Sequence, residues 1–175
     1  MTMRTLDAGP LTLEPQTAAH AAEMFAVLSD PAIYEYENGP PASVEWLRAR
    51  YVKLETRRSA DGSEQWLNWV IRLNGAGLIG YVQATLHADG SAAIAYEMSS
   101  ASWGRGLGRR ATEAMLRELV HHYGITTVFA VAKERNLRSI GLLTRLGFTP
   151  ADPKLRGKRS VEPDEALMIL EIERH

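Results

Sequence analysis

Apolar residues along this chain change their spacing several times, and each change marks an element. Leu11 and Leu13 alternate with polar neighbours, as in a short strand. Behind Thr17, a capping residue, Ala18, Ala22, Phe25 and Leu28 share one helical face, and Asp30-Pro31 stops that helix. Ser43 caps a second helix, with Val44, Leu47, Tyr51 and Leu54 at helical spacing. A β meander follows: Trp66 to Leu73, a turn at Asn74-Gly75, Leu78 to His87, a turn at Asp89-Gly90, then Ala92 to Met98. Leu107, Ala111, Met115 and Leu119 predict an amphipathic helix that stops near Gly124. Thr127 to Ala132 is apolar on both faces, as a central strand is. A helix over Leu137 to Leu146 ends at Gly147, and Ala166 to Ile172 closes the order as a sixth strand. The order β-α-α-β-β-β-α-β-α-β is mixed α/β, with no repeat and no linker, so residues 1–175 read as one domain.

Composition narrows the function classes. At 175 residues with 45% hydrophobic and 23% charged positions, the chain can bury a sizeable core. A net charge of −1 argues against a nucleic-acid-coating protein, so no nucleic-acid partner is expected. There is no cysteine, which removes disulfides, thiolate nucleophiles and cysteine-based zinc sites. The five histidines lack metal-binding spacing, so no metal is expected. The first residues lack the apolar core of a secretory signal, and no run is long enough to span a membrane; the expected location is the cytoplasm.

Candidate chemistry concentrates at Ser102-Trp103-Gly104-Arg105-Gly106-Leu107-Gly108-Arg109-Arg110. A strand precedes it and a helix follows. Glycine lets a ligand approach the backbone, and a helix N-terminus offers unpaired N–H groups at a positive dipole end. Together they suit a phosphate or pyrophosphate, with Arg105, Arg109 and Arg110 adding charge. The Gly-Lys-Ser/Thr of a nucleotide-triphosphate loop is missing, and Arg109 stands where a dinucleotide fingerprint needs its third glycine.

The pattern that remains is Q/R-x-x-G-x-G/A, with Gly106 and Gly108 as its small positions. It resembles the pyrophosphate loop of the GNAT family, the Gcn-related N-acetyltransferases. A second segment, Asn136-Leu137-Arg138-Ser139 followed by Leu146-Gly147-Phe148, is similar to the N-x-x-S/A … L-G-F element after that family's fifth strand. Trp103 departs from the general Gln/Arg but resembles the branch that acetylates ribosomal-protein N-termini.

The resemblance implies a GNAT fold: a mixed sheet splayed between its fourth and fifth strands, flanked by about four helices. Acetyl-CoA, as co-substrate, would lie in the splay. The loop residues Trp103, Gly104, Arg105, Gly106, Leu107, Gly108 and Arg109 would hold its pyrophosphate. The Met98 backbone N–H would stabilise the oxyanion, and Asn136 would bond the pantetheine arm. Many relatives protonate the leaving thiolate with a tyrosine one turn after N-x-x-A. Here that place is Leu143, and Ser139 matches the serine of the ribosomal-protein branch.

Strand alternation puts either Glu97 or Tyr96 in the cleft, so Glu97 is the candidate base, with Glu162 a competitor. Tyr34, Glu35, Tyr36 and Glu37 form an acidic-aromatic lip suited to a cationic amine: a peptide N-terminus, a polyamine or an aminoglycoside. The basic run Lys154–Arg159 suits a CoA phosphate, an acidic acceptor or solvent alone. Trp46, Trp66, Trp69 and Trp103 are expected in the core or the cleft wall. Two other readings stay open: a non-catalytic acyl-CoA-binding module and an ATP-binding domain. The oligomeric state, homodimer included, is open as well.

Overall fold

The computed structural model describes residues 2–36 and 38–173. Eight strands form one sheet: β1 (Leu6–Ala8), β2 (Leu11–Pro15), β3 (Glu64–Leu73), β4 (Gly77–His87), β5 (Ser91–Met98), β6 (Thr127–Lys133), β7 (Thr149–Pro150) and β8 (Glu165–Glu171). Their spatial order is β1-β2-β3-β4-β5-β6-β8-β7. Every pairing is antiparallel except β5 with β6. Four α-helices flank the sheet: α1 (Ala21–Leu28), α2 (Val44–Leu54), α3 (Leu107–His121) and α4 (Leu137–Arg145), with short 3-10 turns between elements.

The fold is the expected splayed α/β arrangement, with two additions. The strands β1 and β7 are too short to carry a periodic signal, so the fourth and fifth strands of the sequence reading are β5 and β6. The first helix also shifts in phase. A 3-10 turn at Ala18–His20 precedes α1, and the buried face becomes Ala21, Met24 and Leu28 rather than Ala18, Ala22, Phe25 and Leu28.

The central strands are apolar on both faces because each face is covered. On β3, Leu67, Trp69 and Ile71 enter the core under α3, while Val70 packs with Met24, Leu47 and Tyr51 under α1 and α2. On α3, Leu107, Ala111, Met115 and Leu119 are all buried, as their spacing predicts. Ser43 Oγ accepts from Trp46 N at 3.0 Å and starts α2.

Candidate active site

The two central strands part because each is stitched to its outer neighbour beyond their last common pair. Strands β5 and β6 pair from Ser91↔Thr127 only to Ile94↔Ala130. Strand β6 keeps pairing with β8 as far as Lys133↔Glu165, and β5 with β4 as far as Gly80↔Met98. Gly80 permits that last approach, since a Cβ there would lie 2.1 Å from the Glu97 carbonyl oxygen.

The opening has polar backbone on one wall. Ser99 N donates to Ile79 O at 2.8 Å. In the regular β4–β5 register, alternation then turns the amide groups of Tyr96 and Met98 toward the gap. From that side Trp103 Nε1 donates to Met98 O at 3.1 Å. Trp103 thereby fixes the strand end and leaves the Met98 N–H facing the opening.

Beyond the gap stands the N-terminus of α3. Gly104 and Gly106 have φ of 74° and 73°, which disfavours any side chain. Gly106 is the N-cap, and the first turn holds neither a capping side chain nor an acid. Gly108 is small for another reason: a Cβ there would meet Leu142 Cδ1 at 3.1 Å and Met98 Sδ at 3.4 Å. A cavity at this helix end is lined by Trp103, Gly104, Gly106, Leu107, Gly108 and Arg109.

Two of the expected arginines stand elsewhere. Arg105 does not line the cavity, and Arg110 turns to the β1–β2 turn, 3.2 Å from where a Cβ of Gly9 would stand. Arg109 does line it and also donates from Nε to Glu113 at 3.0 Å. Arg138 and Arg145 of α4 complete the lining, and the Arg138 guanidinium lies 3.3 Å from the Trp103 ring centroid. The signal for them was present, since Arg138, Leu142 and Arg145 repeat at helical spacing.

The start of α4 forms the opposite wall. Asn136 Oδ1 accepts from Ser139 N at 3.2 Å and caps the helix. Ser139 Oγ lies 2.7 Å from the Tyr96 hydroxyl. Burial pushes the Tyr96 phenol up to about 12, against the opposing pull of its hydrogen bond to Ser139. It therefore stays protonated at neutral pH. Leu143, at the family's tyrosine place, is 1% exposed and belongs to the core. The sequence placed either Tyr96 or Glu97 in the cleft but gave no sign of this contact, because the phenol comes from β5, not from α4.

Tyr96 and Glu97 alternate across β5, yet both line the cleft, because the gap opens the sheet to both faces. Glu97 sits opposite Tyr81 and, with Tyr81 and Asn38, also lines a second cavity of about 600 Å³ under α2. Tyr34 lines this cavity, and its hydroxyl donates to Leu28 O at 2.6 Å. Burial pushes the Tyr34 and Tyr81 phenols up, and the charge of Glu97 adds to both. Asp30 ties the loop after α1 to the end of β5: its Oδ2 accepts from Ser100 N at 2.7 Å and Ser100 Oγ at 2.6 Å.

Glu35, Tyr36 and Glu162, also expected at the acceptor, do not line this cavity. Glu35 is exposed, and Tyr36 faces Arg135, whose guanidinium carbon is 5.7 Å from the ring centroid. Glu37 lies outside the described residues. Glu162 is exposed and lines neither cavity; its backbone closes the turn into β8, donating to Glu165 Oε1 at 2.8 Å and accepting from Arg156 at 2.9 Å. In the basic loop, Arg159 stacks on Phe129 at 3.5 Å, so this arginine and Arg156 serve the fold. Among the described residues no cluster of three potential metal ligands occurs, and no helix is long and apolar enough to cross a membrane.

Solved structures share this architecture at low sequence identity. A RimL ribosomal L7/L12 alpha-N-protein acetyltransferase in complex with coenzyme A is 16% identical, with a TM-score of 0.78 over 97% of this chain and 98% of that one. A ribosomal-protein-S5-alanine acetyltransferase from Vibrio fischeri is 16% identical, with a TM-score of 0.75 over 98% of each chain. An aminoglycoside acetyltransferase in complex with coenzyme A is 19% identical, with a TM-score of 0.73 over 92% of this chain and 94% of that one. With the acetyltransferase (GNAT) domain matched over residues 10–149, the chain belongs to the GNAT acetyltransferase family.

Proposed function

We propose that this chain is an acetyl-CoA-dependent N-acetyltransferase that moves an acetyl group to a primary amine by direct transfer in a ternary complex. One observation carries the reading: three cavities adjoin in series. The cavity at the α3 N-terminus shares Met98, Trp103, Arg138 and Leu142 with the cleft, and the cleft shares Asn38, Tyr81 and Glu97 with the cavity under α2. A thioester entering from one end and an amine entering from the other meet between Met98 and Glu97. The coenzyme A complexes of two structural neighbours support the choice of donor.

Acetyl-CoA supplies the acetyl group and a thiolate leaving group. The first turn of α3 and Arg109, Arg138 and Arg145 face the pyrophosphate. Met98 N–H donates to the carbonyl oxygen as it gains charge. Ser139 Oγ–H donates to the departing sulfur, and Tyr96 re-supplies that proton across 2.7 Å. Glu97 accepts the amine proton, directly or through one water. The buried leucine at position 143 would favour a binding module without catalysis, but the Tyr96–Ser139 pair returns a phenol to the same cleft.

Mass spectrometry of amine acceptors incubated with acetyl-CoA tests the reading, with Glu97→Gln in parallel. The expected result is an acetyl mass shift on an amine, and loss in Glu97→Gln of the carboxylate-dependent rise of kcat/KM with pH. Tight acetyl-CoA binding with no acetylated amine in a broad panel would establish the binding module instead.

A further inference from the structure

The cavity under α2 carries an arrangement of charge and amide groups that its neighbours do not explain. Among the described residues Glu97 is the one acid lining it. Its outer wall is basic. Trp46, Arg50 and Lys53 repeat at helical spacing along α2; Arg50 lines this cavity and the adjoining one, where Lys53 also stands. Two acids at its edge are engaged by the protein itself: Glu55 accepts from Ala18 N, and Glu64 accepts from Trp66 Nε1 at 3.1 Å.

The floor between those charges is polar. Asn68 pairs with Gln83 across β3 and β4, and both line the two cavities. Tyr81, Gln83 and Thr85 follow one another on the same face of β4. At roughly 3.4 Å per residue, that row is about 14 Å long, the span of an extended segment of about four residues.

Two residues lining the cavity carry buried groups without partners. Gln16 Oε1 and the Tyr51 hydroxyl have none among the described residues, and each residue is 3% exposed. An amide oxygen left this way calls for an N–H donor, and a phenol calls for a donor or an acceptor. A peptide backbone supplies both kinds of group.

Resting on the N-acetyltransferase reading, we infer that the acceptor is the amino-terminal segment of a peptide chain, its amine at Glu97 and an acidic side chain within its first four residues at Arg50 and Lys53. Polyamines and aminoglycosides, which the sequence left open, fit poorly here. They bring several cations to a cavity with one lining acid among the described residues and with Arg50 and Lys53 along its edge.

The test uses the full chain, acetyl-CoA, and tetrapeptide amides that share a first residue and carry either Glu or Lys at positions two to four. Free glutamate, spermidine and an aminoglycoside are further arms. The acidic peptides should have a kcat/KM at least about tenfold above the lysine peptides, and Arg50→Glu should erase or invert that ratio. Arg50 is exposed, so Arg50→Glu should keep the wild-type melting temperature and acetyl-CoA affinity. An unchanged ratio in Arg50→Glu would overturn the inference. So would preference for spermidine or the aminoglycoside, or acetylation of free glutamate as fast as of the acidic peptides. Bound acetyl-CoA with no acetylated amine in any arm would overturn the underlying activity instead.

Discussion

The two flanks of the cleft are built from different materials. The flank proposed for the donor is made by backbone: positive φ at Gly104 and Gly106, close packing at Gly108, uncapped N–H groups on α3, and the Asn136 cap. These constraints are local, so they fix residue types at fixed spacing and leave a readable motif. The flank proposed for the acceptor is made by side chains from several segments: Gln16, Tyr34, Asn38, Arg50, Asn68 and Gln83. Apart from Asn68 and Gln83, set opposite each other by the β3–β4 hairpin, and Tyr34 and Asn38 on one loop, these positions need no fixed spacing, and none requires a special backbone conformation except Asn38, with φ of 64°. A donor shared by many enzymes can be held by backbone, whereas an acceptor that differs between them must be held by side chains.

Breaking the donor flank should give the largest effect. Gly106→Val places a β-branched residue at φ of 73° and at the helix end where the pyrophosphate would approach. Acetyl-CoA affinity should fall by about a hundredfold or more, measured by calorimetry on folded protein. If the comparison of flanks is right, binding of an acceptor peptide alone stays near wild type. Wild-type acetyl-CoA affinity would remove the loop from the donor site.

The next effect lies where the flanks meet. Ser139→Ala should lower kcat roughly ten- to a hundredfold with little change in acetyl-CoA affinity. Tyr96→Phe should lower kcat as well, and the double variant should be no slower than Ser139→Ala, because both act through one 2.7 Å contact. Multiplying effects would show that Tyr96 acts on the substrate separately.

Legibility followed the same division. The face of α3 was readable because periodicity is a local rule, whereas the splay came with the family resemblance, and Asn136, expected at the pantetheine arm, spends its side-chain oxygen on capping α4. Tyr96 was visible beside Glu97, but its bond to Ser139 joins residues 43 positions apart, a relation no window on the sequence holds. Charge misled in both directions. Arg105 and Arg110 sit in the motif and do not line the cavity, while Arg145 lies well past it and does. Glu162 was a candidate base by residue type alone, and the fold uses its backbone to turn into β8.

The smallest expected effect tests whether the flanks are independent. The Asp30 carboxylate ties the acceptor-side loop to the end of β5 through Ser100 N, Ser100 Oγ and, on its other oxygen, Ala32 N. Those donors, chiefly Ser100, hold it below the usual carboxylate range. Because the folded value is depressed, the tether is complete above the ordinary aspartate pKa and is lost as pH falls through the folded value. Neutral pH therefore keeps it intact, and Asp30→Ala removes it there. The loop carries Tyr34 and Asn38, which line the cavity under α2. The acceptor KM should rise by about two- to fivefold, in keeping with a solvent-accessible hydrogen-bonded tether. Acetyl-CoA affinity should not move, because the α3 N-terminus and the Trp103 bond to Met98 do not depend on Asp30. Equal losses for both substrates would show that the end of β5 couples the two sides, since Ser100 follows Met98 by two residues and a shift there reaches the Met98 N–H.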